Sequence, residues 1–301
     1  MINCHLAKGL KAWEIQETIM KNCIITGGNS GIGFQAAMQI AEKGYCVTLI
    51  CRNETSAKNA CMEITLNTGN KNVDYLIADL SEMDAVRNVS TKYLDSHDSL
   101  DVLINNAADF DLSIKTPIMT SDGMEKQFAT NVAATFLLSR LLFDALAKSK
   151  NGRIINISSK GLCVFPFIKL NFQNLNSEHS YSPAKTYYQN KLALLILSLY
   201  WAEIQRNVRV QAVRVTNVKI DMSLYQNINP ILKQMYKAKA MFSISPQEMA
   251  MVYTALATTE DYSGFLYDEN LREVRANRSV YDKQTQKRLY ELLCEKTGQS
   301  N

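Results

Sequence analysis

Apolar runs of four to eight residues recur along this chain, at residues 23–26, 46–51, 73–78, 102–105, 153–157 and 208–215, with a shorter seventh at 264–267. Runs without polar alternation belong to strands buried on both faces, as in parallel sheets. Between them, at roughly 32–43, 54–68, 81–97, 121–149 and 184–206, the composition favours helix. Such strand–helix alternation, with right-handed crossovers, gives an α/β fold: a doubly wound parallel sheet with helices on both faces. No linker, repeat or low-complexity stretch interrupts the pattern. The 301 residues therefore read as a single domain, with an N-terminal extension over 1–20 and a variable part after residue 216.

The first run leads directly into Thr26-Gly27-Gly28-Asn29-Ser30-Gly31-Ile32-Gly33. Gly27, Gly31 and Gly33 are spaced GxxxGxG between a buried strand and a helix. Glycine permits the tight turn and lets the backbone approach a pyrophosphate, which then faces the free N–H groups of the helix start. No GK[ST] follows, which excludes a P-loop. The second strand ends at Cys51-Arg52-Asn53, where an NAD site usually has a carboxylate for the ribose hydroxyls. Here none is present. Arg52 is suited instead to a 2′-phosphate, which favours NADP over NAD. The alternative is that Arg52 is an ordinary surface arginine.

Further along, Tyr187 and Lys191 stand four residues apart, on one face of a helix. A nearby ammonium lowers the proton affinity of a phenol, which would make Tyr187 usable as an acid or base near neutral pH. Tyr181 and Lys185 repeat the spacing, but Pro183 marks the helix start and leaves Tyr181 outside it.

Composition narrows the function classes. The net charge is only +4 and the basic residues are dispersed, so nothing calls for a nucleic-acid partner. Residues 233–239 read as a solvated helix face. Seven cysteines, irregularly spaced and without CxxC, fit free thiols in a reducing compartment, hence the cytoplasm. The three histidines are far apart, which argues against zinc. Lys8, Lys11, Glu14 and Glu17 make the first twenty residues neither signal peptide nor membrane span. Leu6, Leu10 and Trp13 would form one face of a short helix packed on the domain.

Taken together, these motifs resemble the short-chain dehydrogenase/reductase superfamily, and within it the retinol-dehydrogenase-like branch. The resemblance covers about residues 21–215. It includes the glycine turn, Ala78-Asp79-Leu80, Asn105-Asn106-Ala107-Ala108, Asn131, Ile157-Ser158-Ser159 and the tyrosine–lysine pair, in that order. It implies a Rossmann-type sheet of about seven strands, a nicotinamide cofactor and carbonyl–alcohol interconversion by hydride transfer. In that pattern Tyr187 is the general acid/base, and Lys191 favours tyrosinate and binds the nicotinamide ribose. Ser159 holds the substrate oxygen, with Ser158 as the neighbouring alternative, and Asn131 positions a water leading from the lysine to solvent. The cofactor contacts it implies are Gly27, Asn29, Ser30, Gly31, Ile32 and Gly33, Arg52, Asp79 (for the adenine) and Leu80. Asn105, Ala107, Tyr187, Lys191 and Val218 complete that set. Homodimers or homotetramers through the helices around 121–149 and 184–206 are expected on the same ground.

The chain also departs from the pattern. After the sixth strand the family has Pro-Gly and then a threonine for the carboxamide; here the stretch is Val215-Thr216-Asn217-Val218-Lys219-Ile220-Asp221. Ala108 replaces the glycine of NNAG, and Asn190 precedes the lysine where serine is common. The segment from Ser159 to Tyr187 is long and carries Phe165, Phe167, Leu170 and Phe172, either a wall for an apolar substrate or loop packing. Residues 216–245 correspond to the substrate lid. Its Met222, Leu224, Tyr225, Met235, Tyr236, Met241 and Phe242 suit a lipophilic carbonyl or alcohol, or else the core. The rival to an NADP-dependent oxidoreductase is a nucleotide-binding sensor or scaffold with little catalysis, motivated by the altered 215–221 stretch.

Overall fold

A computed structural model describes residues 20–219 and 243–300. The first extension, with Leu6, Leu10 and Trp13, and residues 220–242 of the lid, with Asp221, lie outside the described residues. Strands β1 (Asn22–Thr26), β2 (Cys46–Cys51), β3 (Val73–Ile77), β4 (Val102–Asn105), β5 (Arg153–Ser159), β6 (Arg209–Val215) and β7 (Leu266–Tyr267) form one sheet. Its order is β3-β2-β1-β4-β5-β6-β7, and every pairing is parallel. The order reverses between β1 and β4, the place where such sheets open a crevice at the carboxyl ends of their strands.

Helices α1 (Gly31–Glu42), α2 (Glu54–Thr68), α3 (Met83–Leu94), α4 (Lys126–Phe128), α5 (Ala134–Leu141), α6 (Phe143–Lys148), α7 (Pro183–Ile204), α8 (Pro246–Thr258) and α9 (Lys283–Thr297) cover the sheet. Side chains alternate between two apolar layers. Ile24, Leu103 and Ile154 face α3, α5, α7 and α9, whereas Ile25, Ile104 and Ile155 face α1, α2 and α8. Each such buried side chain contributes about 1.5–3 kcal/mol of transfer free energy.

Pro183 opens α7 behind its N-cap Ser182, so Tyr181 stays outside the helix, its hydroxyl accepting from Gln127 at 3.2 Å. The expected helix over 121–149 is shorter and broken. Its front is a turn at Gly123, with φ +69, and Glu125 caps α4 by accepting from the Phe128 N–H. A π-helical turn spans Ala129–Ala133, and the backbone breaks again at Leu142. The 81–97 segment is helical only from Met83, whose N–H donates to Asp122 at 2.8 Å.

Candidate functional site

Gly27 and Gly31 adopt φ of +64° and +57°, values that glycine reaches without strain. The turn is held in place from behind. The Gly27 N–H donates to the Ile50 carbonyl at 2.8 Å, and the Asn106 amide donates to the carbonyls of Thr26 and Gly27 at 3.0 and 3.3 Å. The Thr26 hydroxyl accepts from the N–H groups of Asn106 and Ala107, both at 2.9 Å. At the mouth, Ser30 begins α1 without a side-chain cap, so the helix start presents its N–H groups to the cleft. The cleft has an open volume of 610 Å³. It is lined by Gly27, Asn29, Ser30, Gly31, Ile32, Gly33, Arg52, Asp79, Leu80 and Ala107 among the residues expected from sequence, and also by Cys51, Asn53, Asn106, Ala108, Asp109 and Thr130. An uncapped helix start and a glycine cradle without side chains are what a dinucleotide pyrophosphate requires.

Asn105 lies elsewhere. It shares the side of β4 taken by Leu103, and its amide donates to Asn156 at 2.8 Å and Ser139 at 3.1 Å beneath the sheet. Val218 is outside the lining too. It bridges to Ile244 beyond the end of β6 and ties together the two ends of the 220–242 segment.

Arg52 is exposed on the cleft wall beside Asp79. Burial alone would raise the Asp79 carboxyl, but hydrogen bonds from the Ser81 N–H and hydroxyl, helped by Arg52 and Lys126, hold it below its usual value.

The other half of the site is built where α7 meets the end of β5. Lys191 is 2 % exposed, and its ammonium donates to the Ile157 carbonyl at 2.7 Å. The same nitrogen stands 5.6 Å from the centre of the Tyr187 ring. Strand alternation separates the two serines. Ser158 is buried and donates to the Lys191 carbonyl at 3.3 Å, whereas Ser159 is half-buried and accepts from the Gly161 N–H at 3.1 Å. Asn131 sits in the π-helical turn. Its side chain braces the loop after β4, accepting from the Asp109 N–H at 2.7 Å and donating to the Asp109 carbonyl at 3.0 Å. The next residue, Phe110, packs its ring on Tyr187 at 4.3 Å, and Tyr188 meets the same ring edge-on at 5.5 Å. Tyr187, Lys191, Asn131 and the end of β5 are thus gathered beside the loop that walls the cleft.

Asn106 stood in the sequence motif without a role of its own, and Phe110 was not singled out. Both act through tertiary contacts from a loop, which leaves no periodic signal.

The electrostatics reverse the expectation for the phenol. Burial, and then Tyr188, push Tyr187 up to about 12, while burial brings Lys191 down to about 8. Desolvation acts against the charged form of each group, and the ammonium spends its short contact on a carbonyl. A pH dependence of stability follows. Between about 8 and the ordinary lysine value of 10.5 the unfolded chain holds a proton that folded Lys191 has released, so stability rises with pH. Between the ordinary phenol value of 10 and about 12 folded Tyr187 keeps a proton that the unfolded chain has lost, so stability falls. Urea unfolding across this range should show the rise in wild type and not in Lys191→Met; a rise of equal size in both would refute it.

Comparison with known proteins bears on what this arrangement is. The family model described as short chain dehydrogenase matches residues 21–230, more than half of the chain. The chain is a short-chain dehydrogenase/reductase. It belongs with oxidoreductases that act between CH–OH and C=O groups using NAD(P). Human polyprenol dehydrogenase is 30% identical over 91% of this chain and 84% of that protein. Human retinol dehydrogenase 13 is also 30% identical, over 90% of this chain and 82% of its own length. These relatives place the chain in the retinol-dehydrogenase-like branch. A solved Shigella flexneri short-chain dehydrogenase complexed with NADP superposes with a TM-score of 0.61 at 19% identity, covering 83% of this chain and 97% of that one, and shows the shared fold. Among the described residues no helix is long and apolar enough to cross a membrane.

Proposed function

We propose that this enzyme is an NADP-dependent reductase and dehydrogenase of a lipophilic carbonyl–alcohol pair, with Tyr187 as its proton donor and acceptor. The observation that carries the reading is the meeting of Tyr187, Lys191 and the end of β5 beside a glycine-walled cleft. When bound, the nicotinamide supplies or accepts hydride at the carbonyl carbon. The chain supplies orientation and the proton. Tyr187 is protonated across the neutral range, the state a general acid needs in reduction. Ser159, on the open side of β5, hydrogen-bonds the substrate oxygen as charge develops there. Lys191 holds the ribose, and Asn131, in the π-helical turn, orders a water leading from the lysine to solvent. The glycine turn and the start of α1 take the pyrophosphate, and Asp79 and Leu80 border the adenine. A lipophilic substrate is supported by the apolar composition of the lid and by the exposed Val164, Phe165 and Phe167 of the 160–168 segment. The six described cysteines are free, in keeping with a cytoplasmic setting.

Cofactor choice rests on Arg52. Replacing one charged hydrogen-bond partner costs about 1.5–3 kcal/mol, so Arg52→Ala should weaken NADPH by roughly tenfold to a hundredfold and leave NADH nearly unchanged. Fluorescence titration with both cofactors reads this directly, and equal losses would refute the role of Arg52.

A further inference from the structure

A second cavity lies at the opposite end of the sheet from the glycine turn. It has a volume of 320 Å³ and opens where the amino ends of β5 and β6 meet the end of α7 and the turn before β7. Strand β5 runs from Arg153, in this cavity, to Ser159, about 20 Å away at 3.3 Å per residue. The cavity and the Tyr187 site therefore share elements but not space.

Four cations line it: Lys150, Arg153, Arg206 and Arg209. Among the described residues no aspartate or glutamate does. Sheet register gathers two of these charges. Arg153 and Arg209 are partners on the adjacent parallel strands β5 and β6, so they leave the sheet on the same face. Like charges at facing positions of neighbouring strands repel. Arg153 is only 4 % exposed, and burial, then Arg209, bring it below the ordinary arginine value.

Each arginine is fixed by one arm. The Arg153 Nη1 donates to the Leu256 carbonyl at 2.6 Å and to the Thr259 carbonyl, both at the end of α8, and the Arg209 Nη1 donates to the Tyr262 carbonyl at 3.2 Å. A guanidinium carries five N–H donors, so both side chains keep donors to spare. Glu260 acts on Arg153 from outside the lining, with its carboxylate accepting from the Asn151 amide at 2.6 Å. Lys150, before β5, and Arg206, just after α7, are exposed and complete the basic wall.

A multiply charged oxyanion would offset the repulsion between the paired arginines, whose planar forks match phosphate oxygens. The volume is at the low end for small-molecule sites, about 300–1,000 Å³. No exposed large apolar side chain lines the cavity, which disfavours entry into a bilayer.

We propose that this cavity binds a small, soluble phosphate-bearing anion, held by Arg153 and Arg209 within and by Lys150 and Arg206 at the mouth. The proposal is independent of the substrate and of the role of Tyr187. Isothermal titration of the full chain with inorganic pyrophosphate tests it, at constant ionic strength and with excess NADPH to fill the cofactor cleft. Wild type should show one saturable site. The Lys150→Gln, Arg206→Gln double variant changes only exposed side chains and leaves the cofactor cleft intact, so the difference from wild type belongs to the basic cavity. It should bind pyrophosphate at least tenfold more weakly, since charged hydrogen bonds are lost. Absence of saturable binding to wild type, or equal affinity in the double variant, would overturn the proposal. Binding to vesicles containing phosphatidic acid, with none to soluble pyrophosphate, would also overturn it, by assigning the surface to a lipid headgroup.

Discussion

Tyr187→Phe is expected to lower carbonyl reduction by about 10²- to 10⁴-fold, the contribution of a positioned general acid. The substitution removes one hydroxyl and keeps the ring. The packing against Phe110 at 4.3 Å and Tyr188 at 5.5 Å is therefore preserved, and the fold should be unaffected. Any effect on NADPH affinity is limited to one neutral hydrogen bond, about 0.5–1.5 kcal/mol. Stopped-flow measurement separates the two, because binding is read from cofactor fluorescence and chemistry from its oxidation. The elevated Tyr187 also gives the sign of the pH dependence. On the proposed mechanism reduction uses the protonated phenol, which persists up to about 12, so its rate should be flat through the neutral range. Oxidation, on the same mechanism, would use the phenolate and should accelerate as pH rises. A Tyr187→Phe enzyme with wild-type turnover would remove the phenol from the mechanism.

Gly33→Ala should weaken NADPH binding by roughly tenfold to a hundredfold. A Cβ at this position would lie 2.4 Å from the Asn106 amide nitrogen and 2.6 Å from the Gly27 carbonyl oxygen. Neither neighbour can yield cheaply. The Asn106 amide holds two carbonyls of the turn, and Gly27 is tied to Ile50 at 2.8 Å. Overpacking of this kind costs about 1–3 kcal/mol. Spent on deforming the pyrophosphate cradle, it corresponds to roughly a tenfold to hundredfold loss of NADPH affinity. Gly44→Ala is the control. Its φ of +81 makes the substitution strained, but nothing lies within 4 Å and it is away from the cleft. That variant should melt earlier yet bind NADPH normally. Equal affinity of Gly33→Ala and wild type would contradict the placement of the cradle.

The strands could be read from the chain because buried parallel strands leave an unmistakable apolar run, and β2 and β4 match the expected limits residue for residue. The glycine turn and the Tyr187–Lys191 pair were legible because their geometry is local. The direction of the Asn105 side chain was not legible, because strand parity rather than motif membership decides it, and it points with Leu103 into the polar network beneath the sheet. The 121–149 helix was over-extended because its start at Glu125 and its π-helical turn are set by contacts to distant residues, as Asn131 shows by holding Asp109. Burial was the missing quantity for the phenol, since spacing gives the proximity of Lys191 but not the desolvation that outweighs it. The apolar stripe of α9, with Leu289, Tyr290, Leu293 and Cys294, was visible in principle, but the face it covers was not.

The proton role of Tyr187 is tested most directly by a single turnover with NADPH deuterated at the transferring position, mixed with a panel of lipophilic aldehydes and ketones. Wild type should deliver the label to the carbinol carbon of at least one of them, and Tyr187→Phe, at equal cofactor occupancy, should deliver it at least a hundredfold more slowly, roughly the lower bound for such an acid. Tight NADPH binding with no label transferred to any carbonyl, or transfer undiminished in Tyr187→Phe, would contradict it.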